Sequence, residues 1–279
     1  MSPQKTILGY HSPEDFASEM RKYAREHMLR TKHTMWPPPP AALRLQPRQV
    51  DIWRVHLKLP ADALRALQET LSEDETGRAA RFHFQRDRER FIAAHGGLRD
   101  ILGRYLCVEP RQLEFRANPY GKPGLSEAFA GERLEFNLSH SGDFALFAVT
   151  IKRQVGVDIE LIREDLSTEE IAGRFFSERE VNELLSLSPE QRSVAFFNCW
   201  TRKEAYIKAC GLGLSLSLDG FDVSLAPGQP AILRPSRPDS QEALRWTLKE
   251  LEVQPGYAAA VAIEGQDVEF RLCDWAILR

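Results

Sequence analysis

Val155-Gly156-Val157-Asp158-Ile159-Glu160 carries two patterns at once. Residues of a strand point alternately to its two faces. Val155, Val157 and Ile159 therefore share an apolar face, and Gly156, Asp158 and Glu160 share the other. Two carboxylates side by side repel unless a cation or a donor lies between them. Hard oxygen ligands on a rigid strand suit Mg²⁺, which takes few protein carboxylates and completes its shell with water and substrate phosphates. The competing interpretation is a strand with one solvated face.

Downstream, Trp200-Thr201-Arg202-Lys203-Glu204-Ala205-Tyr206-Ile207-Lys208 has helical spacing. At about 100° per residue, Phe197, Trp200, Glu204 and Ile207 fall on one side. Glu204 then sits among apolar anchors, where a carboxylate is costly without a partner such as a metal ion. Lys208 follows one turn later in the favourable Glu-before-Lys order, so a surface ion pair is the alternative. Gly211 and Gly213 end the helix. Between the two motifs, Phe175-Phe176-Ser177-Glu178-Arg179-Glu180 has capping-box spacing from Ser177 to Glu180. Glu180 either caps a helix or faces a bound metal.

Upstream lies Phe136-Asn137-Leu138-Ser139-His140-Ser141, whose His140 and adjacent hydroxyls can donate to phosphate or serve only a turn. Lys122 sits in the Gly/Pro loop Asn118-Pro119-Tyr120-Gly121-Lys122-Pro123-Gly124, as a point charge with the same potential. From Arg78 to Arg104 the chain is rich in arginine, including Arg78, Arg81, Arg86, Arg88, Arg90 and Arg99. Arginine forks suit phosphate, and a solvated helix face is the alternative.

The periodicity predicts strands at Val50 to Leu59, Leu113 to Ala117, Leu134 to Ser139, Phe144 to Ile151 and Val155 to Leu161. Shorter strands are predicted at Phe221 to Leu225, Arg245 to Leu251, Tyr257 to Ile263 and Val268 to Asp274. Helices are predicted at Asp62 to Leu67, Arg86 to Leu106, from Ser177, and at Val194 to Cys210. The reading is α+β in two subdomains, residues 49–153 and 154–279. Residues 1–48 read as an extension, with a helix starting at Ser12-Pro13 and a polyproline linker at Pro37 to Pro40. The net charge of −3 over 279 residues gives no global case for nucleic-acid or membrane binding. No run approaches a membrane span, and no signal core opens the chain. The four cysteines are scattered without C-x-x-C spacing, which reads as buried free thiols in a reducing cytoplasm rather than a zinc site.

Taken in order, Tyr-Gly-Lys-Pro, Asn-Leu-Ser-His-Ser, Gly-Val-Asp-Ile-Glu, Phe-Phe-Ser-x-x-Glu and Trp-x-x-Lys-Glu-Ala-x-x-Lys resemble the Sfp-type 4′-phosphopantetheinyl transferases, from about Val50 to Arg279. The resemblance implies two similar α+β subdomains about a pseudo-twofold, with coenzyme A in the cleft between them. It implies transfer of the phosphopantetheine arm to a serine of an acyl or peptidyl carrier protein by a cytoplasmic monomer. Asp158, Glu160 and Glu204 match the family's magnesium carboxylates, with Mn²⁺ as a possible substitute, and Glu180 matches an acidic position near the metal. Lys203 and Lys208 match coenzyme-binding and catalytic lysines. Lys122, Ser139 and His140 match residues that hold phosphates. Arg78 matches the basic residue on the 3′-phosphate side, and Arg81 and Arg90 are nearby candidates. Glu75 departs from the pattern where the family often has a second base, and Phe91 departs where some members have a hydroxyl. The alternatives are a non-catalytic binder of coenzyme A or carrier protein, or another magnesium-dependent phosphotransferase.

Overall fold

The structure is a computed structural model that describes residues 36–234 and 241–275, except the side chains of Ala130, Glu132 and Leu214. The helix expected from Ser12 lies outside the described residues. Residues 36–279 form one compact unit. Among the described residues no helix is long and apolar enough to cross a membrane.

Strand β1 (Gln49–His56) leads into α1 (Ala61–Gln68), α2 (Glu73–Ala80) and the long α3 (Gln85–Leu106). A small hairpin, β2 (Phe115–Ala117) and β3 (Pro123–Leu125), precedes β4 (Leu134–Ser141) and β5 (Phe144–Ile151). The chain then repeats that order. β6 (Val155–Leu161) leads into α4 (Thr168–Phe175), α5 (Glu178–Ser186) and the long α6 (Pro189–Cys210). The hairpin β7 (Asp222–Val223) and β8 (Leu233–Arg234) follows, then β9 (Trp246–Glu250) and β10 (Tyr257–Glu264). The pairings repeat as well. One antiparallel run is β1-β5-β4 and the other β6-β10-β9. Among the described residues β11 (Glu269–Asp274) breaks the symmetry, returning to pair parallel with β1. There Asp51 takes hydrogen bonds from Arg271 and Tyr105, which tie β11 and α3 to β1.

The layers follow from strand alternation. On β1, Trp53 and Val55 pack toward α3, while Val50 and Ile52 face the second sheet. On β10, Ala258, Ala260 and Ala262 pack toward α6, while Ala259, Val261 and Ile263 face the first sheet. On β6, Val155, Val157 and Ile159 join that shared sheet-to-sheet core. The result is α+β, as expected: two small, mainly antiparallel sheets face to face, each backed by one 22-residue helix.

Three local expectations need correction. The extension expected to run to residue 48 is anchored at Trp36, which is buried, donates its indole N–H to the Glu252 carbonyl and lies under Arg54, while residues 37–48 are largely exposed. α6 begins at Pro189, the usual first-turn proline, rather than at Val194. Cys107 is exposed, since it closes α3 in the left-handed region at φ 55°, while Cys199 and Cys273 are buried.

Gly156 sets the distance between β6 and α6. A Cβ there would lie 2.1 Å from the Ala205 carbonyl oxygen and 2.3 Å from the Ala209 nitrogen, both backbone atoms of α6. The helix cannot yield there without leaving the sheet. Gly156→Ala is expected to cost about 3 kcal/mol or more, read as a lower denaturant midpoint, and to lower transfer activity in the fraction that folds.

Candidate active site

Because α6 lies so close to β6, residues on the Gly156 face of the strand meet those on the inner edge of the helix. Asp158 is buried. Its Oδ1 accepts hydrogen bonds from Lys208 Nζ at 2.6 Å and from Ser139 Oγ at 2.8 Å, and Lys208 also donates to Ser139 at 3.1 Å. Glu160 accepts from Ser141 Oγ at 2.8 Å, and Asn137 Oδ1 accepts from the Val157 N–H at 2.9 Å. Asn137, Ser139 and Ser141 are alternate residues of β4, so one face of that strand stitches the first half of the chain to β6. The Asn-Leu-Ser-His-Ser motif thus works as a seam; the roles of Asn137 and Ser141 were not legible from spacing.

The site is electrostatically unfinished. Burial first, and then the charge of Asp158, push the Glu160 and Glu204 carboxyls above their ordinary range. Lys208 offsets part of this, but its ammonium is bonded to Asp158 rather than to Glu204. Asp158 Oδ2 is buried and has no hydrogen-bond partner. Among the described residues no three acidic, histidine or cysteine groups already stand in ligating geometry. An orphaned buried carboxylate oxygen beside two destabilised carboxylates still fits a hard divalent cation. Mg²⁺ draws only part of its shell from protein.

Next to these groups opens a cavity of about 920 Å³, whose walls include Arg78, His95, Leu138, Ser139, His140 and Lys208. A smaller cavity of about 340 Å³ adjoins it and shares Arg78, His95 and His140. Arg78 lies 5.3 Å from the Phe91 ring centroid. Burial, and then the nearby charges of His95, Lys208 and Arg90, lower the His140 pKa. An incoming anion would reverse the effect of those cations.

The structure therefore brings Asp158, Glu160, Glu204, Lys208 and Ser139 together, places Ser139, Lys208, His140 and Arg78 in the wall of the larger cavity, and places Arg81 in the smaller one. The other four expected residues are engaged by other partners, Arg90 while still close enough to His140 for its charge to be felt there. Lys203 and Glu180 are both 0% exposed and paired at 2.8 Å. The other two N–H groups of Lys203 go to the Leu218 and Phe221 carbonyls, while Glu180 accepts from Ser177 N and Val223 N. Neither has a polar atom left for a ligand. On a helix, Lys203 lies about 100° from Glu204, which turns it into the core. Lys122 donates to the Val155 and Ala209 carbonyls and tethers its loop to β6 and α6. Arg90 pairs with Asp143 at the β4–β5 turn.

The same strut exists in the first half. Ser72 and Glu75 form a capping box at α2, as Ser177 and Glu180 do at α5. Glu75 holds Arg99 at 2.7 Å, and Arg99 donates to the Pro110 and Leu113 carbonyls. Arg99 and Lys203 hold the same position in their respective 22-residue helices. The repeated S-x-x-E spacing was the available sequence signal.

Two outcomes follow from this geometry. Glu180→Gln leaves Lys203 buried without its counter-ion and is expected to cost roughly 3 kcal/mol in chemical denaturation; unchanged stability with weakened metal or coenzyme binding would restore Glu180 to the site. Glu204→Gln removes a repelled carboxylate and is expected to raise the melting temperature of the metal-free protein by a few degrees, about 1 kcal/mol. It should also abolish any further rise on adding Mg²⁺ with coenzyme A.

The arrangement has counterparts. A family model described as the 4′-phosphopantetheinyl transferase superfamily matches residues 154–262, and one described as 4′-phosphopantetheinyl transferase, N-terminal, matches residues 59–152. The chain is 45% identical over 234 residues to the 4′-phosphopantetheinyl transferase HetI of Nostoc sp., covering 84% of this chain and 95% of that protein. It is 32% identical over 198 residues to the 4′-phosphopantetheinyl transferase Sfp of Bacillus subtilis, covering 71% and 84%. A solved apo-ACPS structure aligns with 41% of this chain and 98% of its own at 17% identity and a TM-score of 0.30. With both halves matched by these family models and HetI matched at 45% identity over 95% of its length, this chain belongs to the 4′-phosphopantetheinyl transferase family.

Proposed function

We propose that the cleft binds coenzyme A with a divalent cation and transfers its phosphopantetheine arm to a serine of an acyl or peptidyl carrier protein. The observation that carries the reading is the meeting of Asp158, Glu160, Glu204 and Lys208 beside a cavity walled by Arg78 and His140.

Asp158, Glu160 and Glu204 would hold Mg²⁺ or Mn²⁺, which supplies Lewis-acid charge at a diphosphate. His140 donates to the phosphates, and Ser139, whose hydroxyl proton goes to Asp158, holds that carboxylate and Lys208 in place. Glu204, whose carboxyl is raised by burial and by Asp158, is the general base for the carrier hydroxyl. The serine oxygen forms a bond to the β-phosphorus as its proton passes to Glu204. The bond from that phosphorus to the bridging oxygen breaks, and adenosine 3′,5′-bisphosphate leaves. Lys208, held between Ser139 and Asp158, stabilises the charge on the departing phosphate. The free cysteines fit work in a reducing cytoplasm.

The test is to incubate the protein with apo carrier proteins, coenzyme A and Mg²⁺ and to weigh the carriers. A gain of one phosphopantetheine, abolished by EDTA, is expected. Asp158→Ala and Glu204→Ala should each lower the rate by about 10²-fold or more while the variants still melt cooperatively. Near wild-type turnover in either variant would remove that residue from the site. Tight binding of coenzyme A with every carrier left unmodified would replace transfer with simple binding.

A further inference from the structure

The β2–β3 hairpin walls a second large space besides the cleft. Arg116, Ala117 and Pro123 line both, but this cavity, of about 820 Å³, is lined by none of Asp158, Glu160, Glu204, Lys208 or Arg78. Its other walls come from the start of β4, the segment after β5 and the C-terminal end of α6. No step of the proposed transfer uses it, so its test stands apart from that reading.

The lining is strongly basic. Arg116, Lys122, Arg133, Lys152 and Arg153 stand against a single carboxylate, Glu135. Glu135 is already served, since burial raises its carboxyl and the charge of Lys122 draws it back. Arg116 pairs with Glu127 at 2.8 Å, an exposed bridge that contributes little. Among the described residues Arg133, Lys152 and Arg153 have no carboxylate at ion-pair distance.

The backbone does not account for these three cations. Arg133 and Lys152 flank the open end of β4 and β5, where the Lys152 N–H donates to the Arg133 carbonyl at 2.9 Å. Both lie in the left-handed region, at φ 49° and 59°, where glycine or asparagine is at ease and a long side chain is strained. Arg153 comes next, with its guanidinium against Gly265, where an added Cβ would be 3.1 Å from Nη1. That Nη1 is buried and has no hydrogen-bond partner among the described residues. The remaining wall is apolar. Leu125, Phe129 and Leu134 line the cavity, and each is backed by the core of the first half.

We propose that this cavity is a second ligand site, which binds a small organic phosphate monoester with an aromatic or aliphatic body. Its volume suits a small molecule. Arginine forks suit phosphate, and three unbalanced cations match a dianion better than a carboxylate. The phosphate would meet Arg133, Lys152 and Arg153, and the body would pack on Leu125 and Phe129.

Cys210 gives a local readout. It lines this cavity and is partly exposed, whereas Cys107 is exposed outside it. Burial raises the Cys210 thiol, so its alkylation by iodoacetamide is followed at alkaline pH, in the full chain with EDTA, by peptide mass spectrometry. The probe is naphthyl phosphate, with naphthol and inorganic phosphate as its two halves. Saturating naphthyl phosphate should slow labelling of Cys210 about fivefold or more and leave Cys107 unchanged, while either half at the same concentration protects less than about twofold. Arg133→Asn with Lys152→Asn, which removes the charge and suits the left-handed backbone, should raise the half-protecting concentration about tenfold. Phe129→Ala should raise it about fivefold. Arg78→Ala, which alters the cleft alone, should leave it unchanged. The proposal is overturned if naphthyl phosphate never slows labelling of Cys210 or if either half protects as well as the whole. It also falls if protection survives the double variant or Phe129→Ala, or is lost with Arg78→Ala.

Discussion

Everything in the site depends on how closely α6 lies on β6. A glycine hydrogen in place of a side chain at 156 lets helix backbone touch strand backbone. The alanines of β10, Ala258, Ala260 and Ala262, keep the same approach open beside it. At that distance Asp158 cannot keep a water shell of its own, and Lys208 reaches it directly. Glu204, one turn earlier on the same helix, is drawn into the same field. The packing that builds the core therefore forces like charges together, and that repulsion is what the proposed divalent ion would relieve.

The two buried struts show how a duplicated architecture assigns different work to similar groups. In both halves an N-cap serine and a glutamate three residues on fix a short helix, and the glutamate grips a cation from the long helix. In the second half the strut is sealed, since Glu180 and Lys203 have no solvent exposure. In the first half it borders the cavity, and Glu75 has a further partner in His95. A buried ion pair of this kind contributes little net stability, yet losing one partner is severe. Its main consequence is positional: each strut ties a loop end to a helix and so fixes the cleft walls.

Much of this was legible in the sequence, for definite reasons. Strand alternation placed Gly156, Asp158 and Glu160 on one face, and helical periodicity set Glu204 among apolar anchors with Lys208 a turn away. Both rest on backbone geometry that tertiary contacts do not alter. The positions of Lys203, Glu180, Lys122 and Arg90 were not legible, because a motif gives neighbours in sequence but not the acceptors that claim each donor. Lys122 is claimed by two carbonyls from β6 and α6. α2 and α4 escaped because eight residues are too short a window to separate helical spacing from other patterns. His95 lies twenty residues from Glu75, with nothing in the spacing to join them.

Under the proposed function, the distribution of charge would make coenzyme A and a metal ion bind together rather than independently. One end of the cleft is acidic through Asp158, Glu160 and Glu204, and the other is basic through Arg78 and Arg81. Lys208 and Ser139 lie between them. On that reading a 3′-phosphate would meet protein cations at the basic end without help. A diphosphate placed against three carboxylates is repelled unless a divalent ion separates them. Each ligand thus lowers the electrostatic cost of the other, and the coupling must be the same in both directions. In this reading the cation is recruited with the substrate, which accounts for a site that holds the right oxygens without yet arranging them as a closed shell.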